Sequence, residues 1–349
     1  MKTNKDYKIV NPLTIKNWNE LIIQHKEYSF FHSKEWINVL CQSYGYKPLF
    51  FVKLDNDRIY SLIPSMRISS IITGKRLVSL PFSDHCDSFF NSIEDSKELQ
   101  EEMISYAKKN QLSYIEFRSS DTKFPFTQFE FRTDLRHILN LETEEYELYK
   151  SFSDNTKRNI KKALKENVSI IVKNDIVGLK IFYDMICETR QKHGLPPQPY
   201  NFFRTIYRSV LGKNMGDLIF AKHNEEFISG AMYFKIGNKI LYKFGASFAR
   251  YNHLRGNQLL MWEAIRKYKS EGYKELDFGR TEINHEGLRR FKLSFNAEER
   301  LIYTTRFDIN TMSFISPDTR TNGFYNTLFN KTPISVLKMI GNTFYKHIG

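Results

Sequence analysis

Residues Leu241 to Phe295 read LYKFGASFARYNHLRGNQLLMWEAIRKYKSEGYKELDFGRTEINHEGLRRFKLSF. The pattern predicts a short strand ending at Gly245-Ala246-Ser247 and a polar loop running to Arg255-Gly256-Asn257. A long amphipathic helix follows, then a second short strand ending at Asp277-Phe278-Gly279-Arg280, then a loop leading into Phe291-Lys292. Strand, loop, helix and strand in this order build a crevice beyond the strand ends, where α/β proteins hold their ligands. The spacing alone predicts an α/β site.

Working outward, the chain repeats itself. Leu49-Phe50-Phe51-Val52-Lys53-Leu54-Asp55-Asn56-Asp57-Arg58-Ile59 matches Leu218-Ile219-Phe220-Ala221-Lys222-His223-Asn224-Glu225-Glu226-Phe227-Ile228. Both have apolar runs flanking turn formers, the pattern of strand, turn and strand. Further on, Tyr106 to Phe117 matches Lys267 to Phe278, each the end of an amphipathic helix followed by a strand with an acid beside a Phe. Recurrence of hairpins is common in α/β proteins, but two matches in the same order predict two α/β units of one design. They also account for 349 residues better than a single sheet does. The break falls where Glu142-Thr143-Glu144-Glu145 interrupts the apolar pattern, giving domains at 1–145 and 146–331.

After the break comes a basic helix: Asp154-Asn155-Thr156 offers a cap, and Lys157, Arg158, Lys161, Lys162 and Lys165 interleave with Ile160, Ala163 and Leu164. Lys157, Lys161 and Lys165 share one side at fourfold spacing, which suits either a solvated face or an anion-binding face. At the other end, Thr332-Pro333 starts a separate helix over 332–349, with an apolar stripe of Ile334, Leu337, Ile340, Phe344 and Ile348. That helix is expected to pack on the body or dock at a membrane interface. The polar stretch from Asn310 to Gly323 is the expected linker before it.

Composition bounds the partners. A formal charge of +13 and a pI near 9.4 favour anionic ones: nucleic acid, phosphorylated precursors or the inner face of a membrane. With no apolar run after Met1-Lys2 and no uncharged stretch near about 20 residues, neither a signal peptide nor a spanning helix is expected. Cys41, Cys86 and Cys187 lack ligand-like spacing and fit a reducing, cytoplasmic setting. No histidines pair at i, i+4, and neither zinc spacing, a Gly-x-Ser-x-Gly elbow nor a Walker loop occurs, so no metal or permanently bound cofactor is expected.

The ordered set of segments resembles the FemAB-like transferases, within the broader acetyltransferase-like (GNAT) fold. Phe30-Phe31-His32-Ser33-Lys34-Glu35-Trp36 looks like that family's opening segment, and Leu77 to Asp87 (LVSLPFSDHCD) is similar to the loop entering its substrate cleft. Glu188 to Pro196 (ETRQKHGLP) and the long segment quoted first are the strongest matches. The resemblance implies mixed-sheet α/β architecture with two tandem GNAT-like domains, and acyl transfer to an amine of a peptidoglycan or polysaccharide precursor. One departure stands out. Acetyl-CoA-using relatives carry Arg/Gln-x-x-Gly-x-Gly/Ala before the long helix, whereas this chain has His253-Leu254-Arg255-Gly256-Asn257-Gln258, with one glycine. Helix-start amides can still hold an anion. The departure argues against an ordinary acetyl-CoA enzyme and favours aminoacyl-tRNA or another activated acyl donor, with acyl-CoA the other donor that the resemblance implies.

In such a reaction an amine attacks an ester or thioester carbonyl, and negative charge grows on the carbonyl oxygen. The resemblance points to Lys292, through its Phe291-Lys292 pair, as the cation that steadies this charge; a surface lysine beside a core Phe is the plainer alternative. Asp277, at a strand end facing the crevice, is the candidate base or amine-orienting carboxylate, or else a structural acid paired with Arg280. Tyr242, Ser247, Asn257 and Arg280 surround the same mouth as substrate contacts, and Arg158 offers a cation from the basic helix. By resemblance Asp84 and His85 hold the acceptor, although both residue types also serve simply as turn formers. The alternative to an enzyme is a non-catalytic module that keeps the fold to bind an anionic ligand, nucleic acid or a membrane surface.

Overall fold

The computed structural model describes residues 7–55, 58–120, 131–315 and 329–349, so the expected linker lies outside it beyond Ile315. Among these residues, 7–135, 301–315 and 345–349 form one compact unit, and 136–300 with 329–344 the other.

Unit 1 contains strands β1 (Tyr7–Val10), β2 (Lys47–Pro48), β3 (Phe50–Leu54), β4 (Ile59–Ile63), β5 (Met66–Ser70), β6 (Gly74–Val78) and β7 (Tyr114–Ser119). Its helices are α1 (Trp18–Ile22), α2 (Lys34–Tyr44) and α3 (Ile93–Lys109). The predicted hairpin around Asp55 is β3–β4, paired in antiparallel register. It does not extend into one long ribbon, because Pro48 closes β2 and Pro64 separates β4 from β5. A proline brings no N–H to a ladder. The ribbon bends there, pinned by the Leu49 amide donating to the Ser65 carbonyl at 2.9 Å. Two sheets result, β1-β3-β4 and a larger one running β2-β5-β6-β7 and on to residues 303–308. Helix α3 lays Leu99, Met103 and Ala107 at fourfold spacing onto Phe51, Ile63, Leu77 and Ile115, all fully buried. Each large side chain among these contributes roughly 1.5–3 kcal/mol through burial.

Unit 2 begins in β8 (Arg132–Asn140) and continues through α4 (Glu145–Ser151), α5 (Asp154–Lys165), β9 (Ser169–Val172), α6 (Ile176–Lys192) and α7 (Tyr200–Ser209). Then come β10 (Gly216–His223), β11 (Glu226–Ile236), β12 (Lys239–Ser247), α8 (Gly256–Ser270), β13 (Glu275–Glu282), α9 (Glu286–Leu293) and the start of β14 (Glu298–Asp308). The strand order is β8-β13-β12-β11-β10-β9. β12 and β13 are parallel, with α8 as their crossover. Its buried residues, Leu259, Leu260, Met261, Ala264, Ile265 and Tyr268, lie on the core built from β10, β11 and β13. The basic helix α5 turns Thr156, Ile160 and Ala163 inward and leaves Arg158, Lys161, Lys162 and Lys165 exposed.

The C-terminal helix α10 (Ile334–Ile348) departs from the expected stripe. Leu337 and Tyr345 are buried, but Phe344 and Ile348 are 46% and 58% exposed. Polar contacts set its last turn. The buried Arg76 guanidinium donates to the carbonyls of His347 at 2.8 Å and Gly349 at 2.6 Å, and the Tyr46 hydroxyl donates to that of Lys346 at 3.1 Å. The end carbonyls of a helix need such partners, and satisfying them turns Ile348 outward.

Candidate functional site

The site in unit 2 starts from a ladder that stops early. β12 and β13 pair only across Lys239–Leu241 and Glu275–Asp277, although the strands continue to Ser247 and Glu282. Beyond Leu241 and Asp277 they part and open a crevice. On its other side β12 carries a bulge, since Tyr242 faces Tyr233 and Phe244 faces Met232, leaving Lys243 over. An extra residue of this kind bends a strand and re-aims its neighbours. A side chain at Gly245 would overlap the Tyr242 hydroxyl, so the glycine lets that phenol fold back along its own strand. Burial pushes the Tyr242 hydroxyl up to about 12, which keeps it a neutral donor.

At the end of β12 the chain turns through Arg255, in left-handed conformation at φ 60°, into Gly256 and helix α8. The Arg255 side chain at its N-cap makes no capping hydrogen bond, and no acid sits in its first turn. A Cβ at Gly256 would come within 2.8 Å of Ile228, so the glycine brings the helix start close against β11. The helix start borders a cavity of about 260 Å³ lined by Ser229, Ser247, Asn252, Gly256, Asn257 and Gln258, with the Gln258 amide itself donating to the Arg255 carbonyl at 3.2 Å. The Ser229 hydroxyl, 2% exposed, has no hydrogen-bond partner among the described residues. A buried hydroxyl left unpaired is costly and calls for a ligand or water. A helix start that borders such a cavity fits a phosphate oxygen. A second cavity of about 460 Å³ shares Ser247 and Asn252 with the first and is bounded by Glu188, Gln191, His193 and Asn330.

Lys292 lies on α9 and is 1% exposed. Its ammonium donates to the carbonyls of Gly279 at 2.7 Å and Arg280 at 3.0 Å. Gly279 adopts φ 70° inside β13, a conformation that glycine takes freely and that turns its carbonyl out of the ladder. Asp277, two residues earlier, accepts from the Gly279 amide at 2.7 Å and from Arg136 Nε at 2.7 Å. The carboxylate is therefore strapped between a guanidinium and the backbone that positions Lys292. His137, fully buried on β8, donates through Nε2 to Glu299 at 3.2 Å, and Arg289 grips the same carboxylate at 2.7 Å. Burial, and then the Lys292 charge, lower the His137 pKa to about 4. The imidazole beside the lysine is neutral.

The remaining expected residues divide in three. Ser247 and Asn257 line the first cavity, and Tyr242 stands on the bulged strand that leads to it. Arg280 contributes its carbonyl to Lys292 while its guanidinium lies 3.9 Å from Glu282, and Phe291 packs on Phe295 at 5.3 Å between centroids. Arg158 is exposed on α5, away from the core face. Asp84 and His85 belong to unit 1, where Asp84 is half-buried and His85, 1% exposed, holds Asp87 at 2.9 Å. Sequence reasoning missed Ser229, Arg136 and His137. The small-residue pair Ser229-Gly230 inside an apolar strand, and charges at Arg136 and His137 in another, were the available signals.

Residues 150–293 match the family model described as an acetyltransferase (GNAT) domain. No curated protein matches the sequence. Among solved structures, the chain is similar to FemX at 13% identity and TM-score 0.69, covering 85% of this chain and 96% of that one. It is also similar to a tandem GNAT protein from the clavulanic acid biosynthesis pathway, at 9% identity and TM-score 0.53, over 87% and 98% of the two chains. A third similarity is to the C-terminal domain of a putative lysylphosphatidylglycerol synthetase from Agrobacterium fabrum, at 11% identity and TM-score 0.51, over 82% and 91%. At these identities the likeness is one of fold. The shared fold is that of tandem GNAT-like units of mixed α/β sheet, with a C-terminal helix.

Proposed function

We propose that the protein is an acyltransferase that moves an aminoacyl or acyl group from a phosphate-bearing carrier to an amine of a cell-envelope precursor, of peptidoglycan or polysaccharide. One observation carries this reading: the start of α8, with no side-chain cap from Arg255, opens on a cavity whose wall includes Ser229, a buried residue whose hydroxyl has no hydrogen-bond partner among the described residues. A carrier phosphate answers both, and the parted strands β12 and β13 offer its acyl arm a path toward Lys292.

Each side chain then has a role. The amine attacks the acyl carbonyl, its proton leaves the nitrogen, and the carrier departs as thiol or hydroxyl. Lys292 supplies a fixed positive charge for the oxygen that becomes negative, a contribution worth roughly a hundredfold to a thousandfold when one such group is lost. Gly279 and Arg280 hold that ammonium in place, and neutral His137 adds no competing charge. Asp277, bound by Arg136, orients the backbone and the incoming amine. Tyr242, Ser247, Asn257 and Arg280 contact the substrates around the mouth, Phe291 backs Lys292, and Arg158 draws phosphates to the surface.

Two carriers fit. The GNAT match favours acyl-CoA, whereas Gln258, in place of the second small residue of the usual cradle, favours aminoacyl-tRNA. The name of one structural neighbour, a lysylphosphatidylglycerol synthetase, speaks of an amino acid joined to an anionic lipid, which supports an envelope acceptor. The test is transfer from acetyl-CoA and from aminoacyl-tRNA to a UDP-linked muropeptide and to chitosan oligomers, with and without ribonuclease. Transfer lost only after ribonuclease selects tRNA. Absence of transfer from both donors to every amine, with folded protein, rejects the reading.

A further inference from the structure

Ile71 and Ile72 form the turn between β5 and β6 in unit 1 and are 97% and 57% exposed. Single exposed apolar residues are ordinary, but two adjacent isoleucines projecting from a hairpin tip are not explained by packing. The turn is firmly built. The Ser70 hydroxyl accepts from the amides of Ile72 at 3.0 Å and Thr73 at 2.9 Å, and Arg76 donates to the Thr73 hydroxyl at 2.6 Å. The same turn fixes the end of α10, because Ser70 Oγ lies 2.9 Å from His347 Nδ1 and Thr73 donates to the His347 carbonyl at 2.6 Å. Ile348, 58% exposed, follows directly.

Exposed lysines flank this apolar tip along the chain and along its strands. Lys75 and Lys346 are exposed beside it, and Lys47 is exposed on the edge strand paired with β5. Lys108 and Lys109 are exposed at the end of α3, next to Asn110, which accepts from Arg67 at 3.1 Å. The sequence holds no Asp or Glu from Ser61 to Ser83, nor from Lys331 to Gly349. The nearest acid by strand register, Asp308, lies opposite Tyr114 on β14 and is occupied with the amides of Asn310 and Thr311.

We propose that this tip is a docking peg for an anionic bilayer surface: Ile71, Ile72 and Ile348 enter the boundary between headgroups and acyl chains while the flanking lysines meet lipid phosphates. Interfacial binding asks for this combination of a small inserted apolar group and a cationic collar. A protein partner asks for something different, since a stable interface covers about 800 Å² per side, far more than three projecting side chains supply. The inference stands on unit 1 alone and does not depend on the acyl-transfer reading.

The experiment is sedimentation of the full chain with vesicles of phosphatidylcholine containing about a third phosphatidylglycerol, and with pure phosphatidylcholine, at about 0.1 M salt where charges act over about 10 Å. Binding is expected only to the anionic vesicles. The double variant Ile71→Asp/Ile72→Asp, whose side chains are already in water, should keep its circular dichroism and melting temperature and lose about tenfold or more in partitioning. Lys75→Glu should lose a few-fold, more at low salt than at high. Failure of the wild type to bind anionic vesicles overturns the proposal, and so does unchanged binding by the double variant. A dimer in solution that Ile71→Asp/Ile72→Asp dissolves would instead assign the tip to a second copy of the chain and equally overturn it.

Discussion

The two crossover units, β6–α3–β7 and β12–α8–β13, share a topology and differ at one point: what stands at the start of the helix. In unit 1, Ser92 caps α3 by accepting the Asp95 amide at 3.1 Å, and Glu94 and Asp95 fill its first turn. Asp95 is itself tied to Lys53 at 2.9 Å and Ser61 at 2.7 Å. In unit 2, Arg255 offers α8 no cap and its first turn holds no acid. A helix start carries about half a positive charge. Unit 1 neutralises that charge with its own carboxylates, while unit 2 leaves it facing a cavity. Of two domains of one design, only the second keeps its helix start open to a foreign anion.

The largest expected effect tests that division with one buried lysine from each unit. Lys292→Met should lower acyl transfer by about a thousandfold. It should also destabilise unit 2 by about 1–3 kcal/mol, since the carbonyls of Gly279 and Arg280 lose their donor. Lys53→Met, which removes the partner of Asp95 and Glu98, should reduce stability and leave transfer per folded molecule unchanged. Denaturant unfolding and turnover measured on both variants decide this. Equal loss of turnover in the two would end the assignment of chemistry to unit 2.

In one respect the units agree, each burying a histidine whose pKa falls to about 4. Burial is the main cause in both. In unit 1, His32 Nε2 donates to the Asp87 carbonyl at 2.9 Å, and Nδ1 accepts the Ser29 amide at 3.1 Å, so a second proton has no acceptor. In unit 2 the neighbouring Lys292 charge adds to burial. Unfolded histidine binds a proton near pH 6.5 and the folded residues only near 4, so stability is complete above the first value and falls as pH drops toward the second. Each contributes about 3 kcal/mol of loss by pH 4. The slope of unfolding free energy against pH near 5 should correspond to about two protons. A slope well under one would mean that neither ring is held neutral.

How far the sequence foretold this comparison depends on whether the cause was local. The matches of Leu49–Ile59 with Leu218–Ile228, and of Tyr106–Phe117 with Lys267–Phe278, correspond to hairpins and to helix–strand units in both halves, because turn formers and apolar periodicity act through near neighbours. Ser247 and Asn257, which line one cavity, were legible as neighbours for the same reason, each beside the turn that sets it. What stayed hidden needed partners far along the chain. Arg136 reaches Asp277 across 141 positions, and nothing near either residue announces the pair. The unpaired state of Ser229 is a property of the space around it. The outward turn of Ile348 was missed because Arg76 and Tyr46, not helical periodicity, set the last turn of α10.

A smaller effect sharpens the contrast by copying one helix start onto the other. Asn257→Asp gives α8 the acid that α3 already has. The new charge should stabilise the helix by about 0.3–1 kcal/mol. It should also weaken binding of a phosphate-bearing probe such as coenzyme A by about tenfold, through repulsion in the cavity. A higher melting temperature with weaker calorimetric binding is the expected pair of results. Tighter binding would show that the anion sits elsewhere.

The smallest effect concerns two serines that do opposite work. Ser92→Ala removes a cap and should cost about 1 kcal/mol, with no change in coenzyme A binding. Ser229→Ala removes a buried hydroxyl that has no partner among the described residues, so the folded protein should gain as much as about 1 kcal/mol. The same change alters the wall of the proposed carrier cavity, and affinity should fall a few-fold. A residue kept at the expense of stability is explained by its ligand, because packing alone would favour alanine. If Ser229→Ala is neutral or destabilising and binds coenzyme A as the wild type does, the hydroxyl is structural, and the open helix start must account for the cavity by itself.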